Sequence, residues 1–254
     1  MKLVLGIRHE FIVRCYSLRS RYVFTSYFEF QIGHRMTTLF RLDASILPTT
    51  SSSRALADLV ETEWLTTHPS SGIVRRDLAV EPIPATAWAD AVTSNFVSEE
   101  DRTDRQRAAR ALATEIADEL VDADALLFAV PLYNYGVSQH FKTWFDLAYT
   151  DPRIDPQGTA LRGKPATLVT VLGGNYAPGT PKEGWDHSTT WLRRVLEDVW
   201  GLDLRVVERP FTLVGVNPAL DAFADVAADL KQTAETHAVR SGREIAGLAA
   251  GSAN

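Results

Sequence analysis

From Met36 onward, short apolar runs alternate with longer amphipathic ones, the order expected of a parallel sheet covered by helices on both faces. Thr38 to Leu42 reads as a first strand, followed by a Ser/Thr turn and a helix from about Ser53 to Leu65. Gly72 to Asp77 reads as a second strand. Its continuation, Leu78 to Pro84, cannot be helix interior, because Pro82 and Pro84 remove donors and restrict the residues before them. Asp104 to Val121 predicts a helix, with Ala108, Leu112, Ile116 and Leu120 at helical spacing and charges on the other face. Ala125 to Val130 has the composition of a fully buried third strand, Ser138 to Tyr149 reads as helix, and Ala166 to Leu172 as a fourth strand. Thr189 to Trp200 predicts a helix stopped by Gly201, Leu204 to Leu213 a fifth strand, and Asp221 to about Leu248 one or two closing helices. Pro210 assigns the fifth strand to an edge or a bulge.

These elements predict an α/β protein, a doubly wound five-stranded parallel sheet with helices on both faces, formed by residues 36–250 as a single domain. In such sheets ligands collect beyond the carboxyl ends of the strands, where the strand order reverses. The loops after the first, third and fourth strands are therefore the informative ones.

The first of these loops places Ser45, Ser51, Ser52 and Ser53 just before a helix. A helix N-terminus offers unpaired N–H groups and roughly half a positive charge, so hydroxyls there can hold a phosphate without a lysine. An ordinary N-cap would look the same. The second loop, Pro131-Leu132-Tyr133-Asn134-Tyr135-Gly136, sets two aromatics at the end of a buried strand, where they can wall a planar heterocycle or simply fill a turn. The third, Gly173-Gly174-Asn175-Tyr176, lets backbone N–H groups approach a ligand without a Cβ in the way. The coincidence of all three at one sheet edge carries more weight than any one of them.

Composition narrows the reading. The 254 residues are 45% hydrophobic and 23% charged, enough to build a packed core unaided. One cysteine, Cys15, excludes an intramolecular disulfide framework and a multi-cysteine zinc site, and it fits a reducing, cytoplasmic setting. A net charge of -6 argues against a nucleic-acid partner. The longest uncharged stretch near an apolar segment, Ala125 to Phe141, is too short and too polar to span a membrane.

Residues 1–35 differ from the rest, with six basic residues against two acids, an excess of +4 that leaves -10 for the remainder. They show no clean period and end before Met36, the one methionine after Met1. We expect this N-terminal extension to be dispensable. A start placed too far upstream, a basic targeting segment and a docked arm are the competing explanations.

Taken together, Ser45-x5-Ser51-x-Ser53, Arg76-Asp77-Leu78-Ala79 with Pro82-Ile83-Pro84, Pro131-Leu132-Tyr133-Asn134-Tyr135 and Gly173-Gly174-Asn175-Tyr176 resemble the FMN-dependent NADH:quinone reductases and azoreductases of the flavodoxin-like superfamily. The resemblance runs from about Leu39 to Phe211. It implies that Ser45, Ser51, Ser52 and Ser53 hold the FMN phosphate, that Leu132, Tyr133, Asn134 and Tyr135 line the isoalloxazine, and that Gly173 and Gly174 contact its pyrimidine edge. Val171 and Leu172 stand where family members often carry a Ser and a polar residue. The implied activity is two-electron hydride transfer from NADH or NADPH through FMN to a quinone, and to azo compounds, by a ping-pong mechanism. Tyr176 and His187 would assist charge and proton transfer. The implied assembly is a homodimer, with Trp144, Phe145, Tyr149 and Trp185 as candidate interface or pocket walls, or else core. A flavodoxin-like electron carrier or regulatory flavin module, and an NADPH-dependent FMN reductase, are the alternatives.

Other motifs lead nowhere. Gly158 to Lys164 resembles a phosphate-binding P-loop until Pro165 replaces the Ser or Thr, and the segment precedes a strand, so Lys164 reads as a surface residue. There is no G-x-G-x-x-G and no G-x-S-x-G, and the six histidines lack metal-ligand spacing, so no metal is expected.

Overall fold

All five residues of Ala125–Ala129 are buried, as a strand covered on both faces requires. The computed structural model describes residues 36–47 and 49–252; the expected N-terminal extension lies outside the described residues. In chain order the elements are β1 (Thr38–Asp43), α1 (Ser52–Thr67), β2 (Gly72–Asp77), α2 (Ala87–Thr93), α3 (Asp104–Asp122), β3 (Ala125–Ala129), β4 (Leu132–Tyr133), β5 (Gly136–Val137), α4 (Gln139–Ala148), β6 (Pro165–Val171), α5 (Thr189–Arg193), β7 (Asp203–Arg209) and α6 (Ala224–Ser252).

The main sheet has the order β2-β1-β3-β6-β7, with every pairing parallel. The chain winds outward from β1 to β2 and then returns to the other side of β1, so the reversal falls between β1 and β3. Alternate residues of each strand feed two cores. Phe40, Leu42, Leu126, Phe128 and Leu168 pack with Ile116, Phe141 and Trp144 on one face, while Leu39, Leu127, Val169 and Val207 pack with Trp64, Ala238 and Ile245 on the other. Trp144 stacks on Phe40 at 6.3 Å, Phe145 is buried and Tyr149 packs against the same core, which leaves Trp185, half exposed, as the one aromatic of the four near solvent.

Several sequence expectations change in detail. α2 was not foreseen, because seven residues after two prolines show too little period. The helix expected over Thr189 to Trp200 is α only to Arg193 and continues as a π-helix over Arg194–Val199. The fifth strand occupies the sheet edge as expected but stops at Arg209, since Pro210 has no N–H and Phe211 takes φ +58°. Lys164 is not a free surface residue. Its ammonium donates to the carbonyls of Leu120 at 2.9 Å, Val121 at 2.7 Å and Ala123, closing the carboxyl end of α3 where a cation is favoured.

Candidate functional site

α1 begins where it does because Ser51, in extended backbone, accepts the Arg54 N–H at 3.4 Å. Such a cap is worth about 1 kcal/mol. Ser53 is fully buried and shares a hydrogen bond of 2.9 Å with Ser51. Arg54, in the first turn, holds both oxygens of Asp77 at 2.7 Å, and Arg76 reaches from β2 to Glu115 and Glu119 of α3. Two residues of the Arg76-Asp77 motif are therefore braces that fix the start of α1 and the end of β2. The Arg41 guanidinium, 3% exposed, adds bonds to Asp43, Asp58 and Glu61 beneath them. Burial works against its charge, but Asp43 and Asp58 outweigh burial and hold its pKa above the ordinary range.

The hydroxyls at this helix start face a cleft of about 310 Å³ lined by Thr49, Thr50, Ser51 and Ser52 together with Arg209, Lys231 and Glu235, the last two 3.7 Å apart as an ion pair. Ser53 lies behind the cleft, and Ser45 is turned to the Tyr133 hydroxyl at 3.1 Å. Arg209 and Lys231 were invisible to sequence reasoning, which expected an anion site of neutral groups alone. They come from the end of β7 and the start of α6, and no local pattern announces that they meet a loop some 160 residues earlier. The Arg209 Nε is buried without a partner, and burial pulls the Arg209 pKa down despite the Coulombic pull of Glu235. A buried N–H of a cation without a hydrogen bond is costly, and an anion entering the cleft could accept it.

The loop after β3 folds as a tight hairpin. Leu132 pairs with Val137 and Tyr133 with Gly136, leaving Asn134 and Tyr135 as a two-residue turn with φ +48° and +66°. This is the type I′ arrangement that matches strand twist, and it normally prefers Asn-Gly. A tyrosine in the second position carries backbone strain of the kind held at functional sites. The turn was legible as Asn-Tyr-Gly, but two-residue strands are too short to show a period. Tyr133 also accepts the Ile46 N–H at 3.2 Å, so this hairpin and the loop after β1 are joined.

After β6, the Gly173 and Gly174 carbonyls accept the N–H groups of Leu213 at 3.2 Å and Phe211 at 3.1 Å. Their own N–H groups have no acceptor among the described residues. Neither glycine has positive φ. A Cβ on Gly173 would meet Leu213 Cδ1 at 2.8 Å, a contact that the exposed leucine side chain would have to shift to relieve. A Cβ on Gly174 would sit 3.5 Å from Lys182 Nζ and 3.6 Å from Tyr176 Cε2.

Lys182, unremarked in the sequence, stands 5.6 Å from the Tyr176 ring centroid and 5.8 Å from that of Tyr135. Such contacts are worth about 0.5–1 kcal/mol each at exposed sites. Trp185 packs edge-on against Tyr135 at 5.6 Å, and the His187 N–H donates to the Tyr135 carbonyl at 3.0 Å. Tyr176 and His187 thus join one cluster, the former through Lys182 and the latter through its backbone. The His187 side chain is exposed. Burial raises the Tyr176 pKa, with Tyr135 and Asp186 adding to it, so its hydroxyl keeps its proton at neutral pH.

Residues 36–237 match the sequence profile of a family described by its flavodoxin-like fold. A protein of Frankia casuarinae named FMN-dependent NADH:quinone oxidoreductase is 38% identical over 194 residues, covering 75% of this chain and 92% of that one. The chain belongs to this flavodoxin-like oxidoreductase family. A family member of the same name from Streptomyces avermitilis is 34% identical over 213 residues, covering 83% of this chain and 98% of its own. A solved azoreductase from Bacillus anthracis, 20% identical, superposes with a TM-score of 0.69 over 82% of this chain and 100% of that one, which speaks to the fold. For a family member the donor set fits a flavin mononucleotide. Hydroxyls with Arg209 and Lys231, set against the one carboxylate of Glu235, suit a phosphate, the aromatic hairpin suits a planar ring, and the paired N–H groups suit a carbonyl edge.

Proposed function

We propose that this chain is an FMN-dependent NADH:quinone oxidoreductase that also reduces azo compounds. FMN, held here, would supply two-electron hydride chemistry between a nicotinamide and an acceptor that use the site in turn, a ping-pong order. The residues around it bind and orient. Thr49, Thr50, Ser51 and Ser52, with Arg209 and Lys231, would hold the phosphate. Ser45 fixes the Tyr133 hydroxyl, and Ser53 fixes Ser51. Leu132, Tyr133, Asn134 and Tyr135 would form the wall of the ring site. The N–H groups of Gly173 and Gly174 would meet the carbonyl at the pyrimidine edge as preorganised donors. Tyr176, neutral, would donate its hydroxyl proton toward an acceptor oxygen, with His187 at the rim.

The observation that carries this reading is the convergence at one sheet edge of a hydroxyl-lined cleft into which a half-buried arginine brings an Nε without a hydrogen bond, a strained aromatic hairpin and a turn with two N–H groups that have no acceptor among the described residues. The test is the visible spectrum of the purified protein, recorded before and after anaerobic NADH and again after a quinone. Oxidised flavin bands that bleach rapidly and return support the reading. Colourless protein that refuses added FMN overturns it. Slow bleaching by NADH would point instead to an electron carrier, and flavin lost on gel filtration to an FMN reductase.

Ile46, Leu47, Trp185 and Leu213 expose apolar surface on the loops that frame these three features. We infer that a second copy covers it in a homodimer, which light scattering tests; a monomer at micromolar concentration overturns this. The single cysteine supports a cytoplasmic setting, and no helix of the described residues is long and apolar enough to cross a membrane. Residues 36–250 should bind flavin without residues 1–35. A truncated chain that folds but remains colourless while the full chain is yellow would overturn that.

A further inference from the structure

A lysine on a surface loop ordinarily finds a carboxylate or points into water. Lys182 does neither: it is half-buried, and it forms no ion pair among the described residues. The two acids nearest in sequence are committed elsewhere. Glu183 accepts the Gly179 N–H at 2.8 Å, and Asp186 accepts the N–H groups of Ser188 at 2.8 Å and Thr189 at 2.9 Å. The loop that carries Lys182 is shaped by Gly179 and Gly184, at φ +80° and +78°, a conformation that side chains disfavour. Its ammonium is steered over the faces of Tyr135 and Tyr176 and ends 3.5 Å from the position a Gly174 Cβ would take. An unneutralised cation is thereby set beside the turn whose N–H groups are free.

We propose that Lys182 is the cation that faces the pyrimidine edge of the bound flavin and stabilises the negative charge there once the ring has taken up two electrons. This rests on the flavin reading above. Charge beside the N1 side of a flavin is one of the means by which a protein sets the ring's electronics. The two tyrosines supply position without cancelling the charge, which a carboxylate would do. The oxidised ring carries no charge at that edge, so Lys182 favours the reduced state and contributes little to holding the oxidised one.

The test is the flavin midpoint potential of the holoprotein, measured by equilibration with reference dyes, in wild type, Lys182→Met, Lys182→Gln and Lys182→Arg. The methionine and glutamine variants should remain yellow. Their two-electron equilibrium should shift toward the oxidised ring at least tenfold, which is a potential lower by about 30 mV. Lys182→Arg, which keeps the charge, should stay within about threefold of wild type. Yellow methionine and glutamine variants with an unchanged potential overturn the assignment while leaving the flavin reading intact. Loss of flavin from both variants with native circular dichroism also overturns it, because the cation would then be holding the oxidised ring. A wild-type protein that binds no flavin overturns the underlying reading itself.

Discussion

The Tyr133 hydroxyl lies 3.1 Å from Ser45 Oγ and binds the Ile46 N–H as well, so one phenol joins the loop after β1 to the hairpin after β3. Two of the loops assigned to the proposed flavin site are coupled through it. Tyr133→Phe should leave the fold intact and weaken FMN binding by roughly 5- to 30-fold, the value of one or two net hydrogen bonds of about 1 kcal/mol each. Fluorescence titration of the apoprotein with FMN checks this. An unchanged dissociation constant would show that the loops hold position without the bridge.

Arg209 separates ligand binding from stability. Its Nε has no hydrogen-bond partner among the described residues and burial outweighs the attraction of Glu235, so Arg209→Met should change the stability of the apoprotein little. FMN affinity should fall roughly 10- to 150-fold, the range for a hydrogen bond to a charged group, whereas riboflavin, which lacks the phosphate, should bind unchanged. Calorimetry with both ligands distinguishes these outcomes.

The hairpin turn poses the opposite question. Tyr135→Gly converts Asn-Tyr to Asn-Gly, the pair that the turn prefers, and should raise thermal stability by up to about 1 kcal/mol, offset by the lost packing on Trp185. NADH:quinone turnover should drop, because an aromatic wall and one face of the Lys182 perch are gone. Equal turnover would mean that the strain serves no purpose in the site.

For Tyr176 and His187 the expected effects differ. Tyr176→Phe removes a neutral proton donor from the cluster and should lower turnover about tenfold or more with little change in the quinone KM. His187→Gln alters an exposed side chain that makes no hydrogen bond among the described residues and should cost less. Steady-state kinetics with one quinone ranks the two variants.

Acid stability follows from Asp77 and Asp151. Burial raises each carboxyl, but hydrogen bonds from Arg54 and Ala79 to Asp77, and from Arg153 to Asp151, outweigh it, so both are held below the usual carboxylate value. The unfolded chain then binds protons before the folded one does as pH falls. Their contribution is present above about pH 4 and is lost below it. Urea unfolding of Asp77→Asn should show a shallower loss of stability than wild type between about pH 5 and pH 3.

The sheet was largely legible because a parallel strand buried on both faces must be written in apolar residues, as in Ala125–Ala129 and Pro165–Val171. What escaped depends on distance or on brevity. Arg209, Lys231 and Lys182 carry ordinary surface identities, and only the winding of the chain brings them to a loop, a cleft or a pair of tyrosines. The Ser and Tyr-Asn-Tyr motifs lie at the edge of the sheet where the site is proposed, with Ser45 and Ser53 tied to other side chains of the protein and Thr49 and Thr50 lining the cleft.

Gly173 and Leu213 fit together like a notch and its peg. A methyl at residue 173 would push on the end of a side chain from beyond the sheet's far edge, so a larger residue there would be felt first as a change of rotamer at Leu213. Any transplant of this turn into another scaffold would have to carry the chain after Pro210 with it, since the carbonyls of both glycines are claimed there.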